Sequence, residues 1–191
     1  KKSEKVLDYG LIVGGILQLY LTGNVRIERG AIKISSTNQS GNIFLDKLLK
    51  NLTDGSGIIE EILRLKNKLK KLHIDLEELL IARGVLKREE NSLLWIPLSQ
   101  RMENVNYAYE QEIRNTLRAL VLRGFKNDVS FSILLSLTND CNLLSEVFRT
   151  SNELSDAKNC VQNLRNQADV NEDLANILDL IRHFFMEKFQ E

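Results

Sequence analysis

The chain has 191 residues, 43% of them hydrophobic, so it has the size of one domain and can bury a core. Lys and Arg together number 26, as do Asp and Glu, and the resulting net charge of zero excludes a whole-molecule attraction to nucleic acid or anionic membranes. Such an attraction would need a local basic patch, and nucleic acid is not an expected partner. The two cysteines, Cys141 and Cys160, are too few for a disulfide framework and favour a reducing, cytosolic setting.

The first part of the chain predicts two helices separated by a hairpin. The segment Val6–Leu21 is typical of a buried helix, and its most apolar run, Gly10–Leu21, is too short to cross a membrane, which takes about 20 residues. Val25–Ile27 and Ala31–Ile34 alternate with period two around Glu28-Arg29-Gly30, which indicates a hairpin. A polar loop over 35–41 then leads to a short amphipathic helix, Ile43–Leu52.

The remaining periodicity is mostly helical. Ile58–Arg83 predicts a helix with a break near His73–Asp75, and a second hairpin follows, in which Glu90–Ser92 is the turn between Val85–Glu89 and Leu93–Ile96. Further helices are predicted at 106–124, 128–138, 140–149, 151–168 and 171–189, with Asp128 and either Asn139 or Asp140 as N-caps. We therefore expect a single domain over 1–191 with a mainly α fold, a helical core of about nine helices decorated by two β-hairpins.

The residue types that usually carry catalysis are sparse. The two histidines, His73 and His183, are far apart in sequence, and no Cys-x-x-Cys or His-Glu-x-x-His pattern offers a metal site. Gly10, Gly14 and Gly15 lie inside an apolar helix, where close helix packing explains them better than phosphate binding does. The sequence therefore predicts no enzyme, metal or cofactor. An enzyme would instead need a cleft of converging polar groups with shifted pKa values.

The segment Arg64–His73 is the one place where charges follow a pattern. On a helix, six basic side chains form two adjoining stripes, while the intervening leucines (Leu65, Leu69, Leu72) face inward. The stripes comprise Arg64, Lys68, Lys71 and Lys66, Lys70, His73. Such a face could bind a phosphorylated head group at about 1 kcal/mol per charge near a membrane. The alternative is a solvated face balanced by Glu60, Glu61, Glu77 and Glu78. Trp95 is either a membrane-inserting side chain or an interior or subunit-interface residue.

Several stretches in order resemble the Golgi phosphoprotein 3 (GPP34) family. Leu17–Val25 is similar to the family's Leu-x-Leu-Ala-x-x-Gly-Arg-Ile/Leu junction of helix and strand. Ser40–Leu49 is similar to Thr-Gly-Asp-x-x-Leu-Asp-x-x-Leu, and Leu79–Glu89 to Leu-Val-x-x-Gly-Val-Leu-x-x-Glu. Leu134–Leu137 with Leu143–Phe148 is similar to the family's Leu-x-x-Leu followed by Val-Leu-x-x-x-Phe. The resemblance covers nearly the whole chain.

The resemblance implies a non-enzymatic peripheral membrane adaptor, cytoplasmic and located at the Golgi in a eukaryote. Eukaryotic members of the family bind phosphatidylinositol 4-phosphate and the cytosolic tails of Golgi glycosyltransferases, and they engage the coat that returns those enzymes. They also self-associate. Implied partners are therefore anionic lipid head groups, tails of membrane proteins and further copies of the chain.

The resemblance also implies a lipid site, from which this sequence departs in part. The family's lipid pocket uses a tryptophan and an arginine near the first core helix, and two arginines ahead of Gly-Val-Leu. The latter pair falls on Lys70 and His73, the first arginine on Ile12, and the tryptophan near Ser3. Lysine loses the bidentate geometry of arginine, and histidine is only partly charged near neutrality. These departures favour a second hypothesis, a prokaryotic-type relative that binds another ligand or protein without phosphoinositide selectivity.

Overall fold

The structure, a computed structural model, describes residues 2–69, 72–93, 96–123, 129–166 and 172–189. These ranges contain nine helices and two separate antiparallel hairpins, which confirms the predicted mainly α fold. The helices are α1 (Lys2–Leu21), α2 (Ile43–Asn51), α3 (Ile58–Lys68), α4 (Leu72–Ala82), α5 (Tyr107–Arg123), α6 (Val129–Asp140), α7 (Leu144–Val147), α8 (Ser151–Asn166) and α9 (Glu172–Phe189). The strands are β1 (Val25–Glu28), β2 (Ala31–Ile34), β3 (Leu86–Leu93) and β4 (Ile96–Asn104).

Helix α1 lies at the centre of the main hydrophobic cluster, and α2, α3, α4 and α6 pack around it. Its apolar residues are buried on most sides, because neighbouring helices cover it almost all round. Two of the three glycines allow this close approach. A Cβ at Gly15 would lie 2.1 Å from Leu48 and 3.0 Å from Phe44, and one at Gly10 would lie 2.8 Å from the Cys141 sulfur. The prediction that the glycines serve helix packing is therefore confirmed for Gly10 and Gly15.

The first hairpin forms as the sequence predicts. β1 and β2 pair from Val25↔Ile34 to Glu28↔Ala31, and Arg29 (φ 52°) and Gly30 (φ +78°) form the turn. Two consecutive residues with positive φ are typical of the type I′ turn, whose twist suits a two-residue hairpin. One face of the hairpin is buried against the core through Val25, Ile27 and Ile32.

The second hairpin is longer than predicted, and its predicted turn is wrong. Glu90, Asn91 and Ser92 lie within β3, and β4 extends to Asn104. The ladder shifts register between Asn91 and Ser92. The prediction failed because it followed apolar residues, whereas backbone hydrogen bonds form a ladder regardless of polarity.

A second hydrophobic cluster is formed by α5, α6, α7 and α8. Helix α6 joins the two clusters, since Ile133 belongs to the first and Leu135 to the second. Asn139 and Asp140 end α6 instead of capping the next helix, so this N-cap prediction is wrong. The reason is Asn142, whose left-handed conformation (φ 59°) lets Leu143 N–H donate to the Thr138 carbonyl, a typical helix C-terminal motif. The other predicted cap, Asp128, lies outside the described residues.

Candidate anion-binding surface

The candidate surface follows from the way α3 and α4 are joined. Ile58, Ile62 and Leu65 are buried on one face of α3, so Arg64, Lys66 and Lys68 lie on its other faces. The helix ends at Lys68, and α4 begins at Leu72. The predicted break is therefore confirmed, slightly ahead of its expected place near His73. Leu65, Leu69 and Leu72 are all buried, as the inward stripe predicts.

Arg64 belongs to a buried network. Its Nε donates to Glu61 Oε2 (2.9 Å), and its Nη2 contacts Glu61 Oε1 and the Asn51 carbonyl. Glu61, with 0% of its surface exposed, also accepts from Thr53 N–H (2.8 Å) and Ser56 Oγ (3.1 Å). The pair thus ties α3 to the segment that follows α2, and Arg64 is largely committed to this internal role.

Two opposing effects set the pKa of Glu61. Burial raises it, because a carboxylate loses hydration, but the hydrogen bonds from Arg64, Thr53 N–H and Ser56 outweigh this effect and hold the pKa of Glu61 below its usual range. The same hydrogen bond raises the pKa of Arg64. Glu61 therefore remains a charged partner of Arg64 at neutral pH.

Lys66 and His73 converge on a single carboxylate, Asp8 of α1. Lys66 Nζ pairs with Asp8 Oδ2, and His73 Nδ1 lies 3.4 Å from Asp8 Oδ1. The side chain of His73 is 42% exposed, whereas those of Lys66 and Asp8 are about one-fifth exposed. We call Asp8, Lys66 and His73 the Asp8 cluster. Its cations touch solvent, so an external anion could compete with Asp8 for them.

The remaining predicted site residues are Lys68, Lys70, Lys71 and Trp95. Lys68 is exposed and makes no ion pair with any residue in the described ranges. Lys70, Lys71 and Trp95 lie outside the described residues, so their predicted roles stay predictions. Of the acids expected to balance the basic face, Glu61 pairs with Arg64, while Glu78 pairs with Arg88 of β3 instead.

The sequence alone does not reveal the role of Asp8, because it lies 58 positions before Lys66. The one local signal is that Asp8 is the last charged residue of α1 before its apolar run. Ile12, which takes the place of an arginine in the resemblance, lies one turn further along α1 and is only 1% exposed. At this position of α1 the chain therefore has a core side chain, and one turn earlier it has an acid.

The described ranges lack two other kinds of functional feature. They contain no group of three or more His, Cys, Asp and Glu side chains arranged to hold a metal ion. None of the helices in this part of the chain combines the length and apolarity that a membrane span requires.

Comparison with known proteins gives one finding. The sequence profile of the family described as Golgi phosphoprotein 3 (GPP34) matches residues 1–181. A search of curated proteins found no match. The family match covers most of the chain, including α1, both hairpins and the Asp8 cluster. The chain therefore belongs to the Golgi phosphoprotein 3 (GPP34) family.

Proposed function

We propose that this chain is a peripheral membrane adaptor that binds phosphate-bearing lipid head groups, phosphatidylinositol 4-phosphate among them, through the Asp8 cluster. The observation that carries the proposal is the convergence of Lys66 and His73 on Asp8. A phosphate group that approaches this surface meets the Lys66 ammonium and the His73 imidazole, which is cationic when protonated. Membership of the GPP34 family supports the same role.

Binding in this proposal is an exchange of anions. Asp8 pairs with Lys66 and lies beside His73 in the free chain, and a phosphorylated head group would replace it with a more highly charged anion. Each cation near an anionic membrane contributes about 1 kcal/mol, and salt screens this attraction. Affinity is therefore expected to be modest and to fall with ionic strength. Arg64 is not counted as a lipid ligand, because Glu61 holds it.

The adaptor role includes partners and a location that rest on family membership alone. Cytosolic tails of membrane proteins and further copies of the chain are the partners we propose, at the cytoplasmic face of a membrane, which is the Golgi in a eukaryote.

A second candidate function has a specific observation in its favour. The buried Ile12 and the acidic Asp8 lie where the resemblance implies a cationic pocket, so the fold could serve a different ligand or protein partner without phosphoinositide selectivity. This second candidate function predicts that any affinity for vesicles depends on their charge and not on the identity of the lipid head group.

The test is sedimentation with vesicles that carry phosphatidylinositol 4-phosphate, compared with vesicles of equal charge that carry phosphatidylserine. We expect Lys66→Ala/Lys68→Ala to lose most binding to the phosphoinositide vesicles. Lys50→Ala/Lys158→Ala, which removes two exposed lysines from α2 and α8, should bind like the wild type. Asp8→Asn should bind more strongly, because it removes the internal competitor of the phosphate.

Equal binding to both vesicle types would support the second candidate. If Lys66→Ala/Lys68→Ala and Lys50→Ala/Lys158→Ala lost binding equally, the Asp8 cluster would not be the binding site. Weaker binding by Asp8→Asn would contradict it as well. Circular dichroism of each variant separates loss of binding from loss of fold.

A further inference from the structure

A cleft of about 360 Å³ lies on the second hydrophobic cluster, remote in sequence from the Asp8 cluster. One wall is a stripe of α5, where side chains spaced three or four apart point the same way. The other wall is formed by the segment that joins α7 to α8. The side chains that matter here are Tyr107, Glu110, Gln111, Arg114, Arg118 and Arg149.

Three arginines and one acid give the cleft an excess of positive charge. Arg114 is compensated, since its Nε donates to Glu110 Oε1 (2.8 Å) and its Nη2 lies 2.7 Å from the same oxygen. Hydrogen bonds from Arg114 and then Asn104 keep the pKa of Glu110 below its usual range, so this carboxylate is charged at neutral pH. Arg118 and Arg149 are less closely paired, since Arg118 meets an acid only at 3.9 Å and Arg149 makes no ion pair with an acid in the described ranges.

Arg118 is poorly satisfied for a side chain that is two-thirds buried. Its Nε is buried and makes no hydrogen bond, and its Nη2 lies 3.9 Å from Glu153 Oε2, which is beyond hydrogen-bonding distance. Buried polar groups normally have a partner, so the guanidinium group of Arg118 makes fewer hydrogen bonds than its burial leads one to expect.

The nearest acid, Glu153, is already engaged. Its Oε2 accepts from the backbone N–H groups of Arg149 (3.2 Å) and Thr150 (3.3 Å), while Glu153 N–H donates to Thr150 Oγ1 (3.3 Å). This reciprocal arrangement is a capping box at the start of α8. The Arg149 side chain itself is exposed and makes no ion pair with an acid in the described ranges.

We infer that this cleft is a second anion-binding site, which takes a phosphate monoester of a small polar alcohol through Arg118 and Arg149. A phosphate monoester carries a charge of about −1.5 to −2 near neutral pH, which attracts Arg149, a guanidinium group without an ion pair in the described ranges, and Arg118, whose ion pair is long. Guanidinium groups bind phosphate with paired, charge-assisted hydrogen bonds.

The neutral part of the cleft suits the alcohol. The Tyr107 hydroxyl and the Gln111 amide both donate and accept hydrogen bonds, as sugar or polyol hydroxyls require. The volume lies at the lower end of the range for small-molecule pockets, so a compact ligand fits better than a peptide. The shared chemistry allows two sources, a soluble phosphate monoester and the monoester head group of a lipid.

Titration calorimetry with myo-inositol 1-phosphate tests the soluble source, and sedimentation with vesicles containing phosphatidic acid tests the lipid source. We expect saturable binding in at least one experiment, and about tenfold weaker binding by Arg118→Gln and by Arg149→Gln, as loss of a charge-assisted hydrogen bond implies. Arg149 is exposed, so its variant should keep the fold even if Arg118→Gln does not.

Arg123→Gln is the matched control, because it removes one exposed arginine from the last turn of α5 outside the cleft. It should bind like the wild type. The proposal is overturned if neither probe binds saturably, or if Arg123→Gln loses as much affinity as Arg149→Gln. Measuring the loss in Arg149→Gln with and without Lys66→Ala/Lys68→Ala separates this outcome from the proposed lipid role of the Asp8 cluster, because only binding in this cleft depends on Arg149.

Discussion

Arg64 and Lys66 are two positions apart on α3, yet their side chains have different roles. Arg64 pairs with the buried Glu61, whereas Lys66 pairs with the partly exposed Asp8 of another helix. Charge counting along the sequence treats them alike, because it does not show which carboxylate lies in the interior. The difference decides which substitution affects stability and which affects binding.

Arg64→Ala is expected to destabilise the fold. It would leave Glu61 buried without its charged partner, at a cost of about 2–3 kcal/mol in the free energy of unfolding, less than for a fully buried pair because the Arg64 side chain is 35% exposed. Urea unfolding followed by circular dichroism measures this cost. Lys68→Ala, on the same helix but exposed, should change the free energy by no more than about 0.5 kcal/mol. Equal changes in the free energy of unfolding would show that the Arg64–Glu61 pair contributes no more to stability than an exposed lysine does.

At the residue scale, sequence periodicity predicted the inward leucines, because burial of α3 and α4 repeats with the helical period. It could not predict that Asp8 would meet Lys66 and His73. Their contact depends on how α1 crosses the join between α3 and α4, and nothing local in the sequence encodes that crossing.

At the scale of elements, the glycines of α1 show how close helix packing is achieved. Gly14 and Gly15 are adjacent on α1 but face different neighbours. A Cβ at Gly15 would lie 2.1 Å from Leu48 of α2, while one at Gly14 would lie 3.4 Å from Leu137 of α6. The first distance forces a shift of packed side chains, and the second is an ordinary van der Waals contact.

Gly15→Ala and Gly14→Ala therefore form a matched pair with opposite expectations. In each, alanine gains up to about 1 kcal/mol of helix propensity over glycine. At Gly15 this gain is outweighed by overpacking, which typically costs about 1–3 kcal/mol, so this variant should unfold at lower urea than the wild type. Gly14→Ala should be neutral or more stable. The reverse order would contradict the packing of α1 against α2.

The elements also show where sequence patterns stop being informative. The first hairpin was predicted well, because its buried face alternates strictly from Val25 to Ile34 and Arg29-Gly30 suits its turn. β3 was cut short, because Glu90, Asn91 and Ser92 have the composition of a turn. Their actual register places Glu90 opposite Gln100 and Asn91 opposite Ser99, so the backbone ladder continues through the predicted turn.

At the scale of the molecule, the question is whether two hydrophobic clusters make one cooperative unit. Cys141 belongs to the cluster around α1, and Cys160 packs against the second cluster. Helix α6 has buried residues in both clusters, Ile133 in one and Leu135 in the other, so neither can lose its packing without exposing part of this helix. The expected single domain over 1–191 predicts that the two clusters unfold together.

The reactivity of Cys141 and Cys160 measures whether the two clusters unfold together. Burial, with a smaller contribution from Asp140, raises the pKa of Cys141 to about 12, and burial also raises the pKa of Cys160. Since the thiolate is the nucleophile, both thiols should react slowly with an alkylating reagent in the native chain, Cys160 faster because it is only half-buried. Along a urea series, mass spectrometry of the labelled peptides should show both becoming reactive at the same midpoint, with equal rates in the fully unfolded chain as the control. If Cys160 became fully reactive at lower urea than Cys141, the second cluster would be a separate folding unit, and α6 would not couple the two.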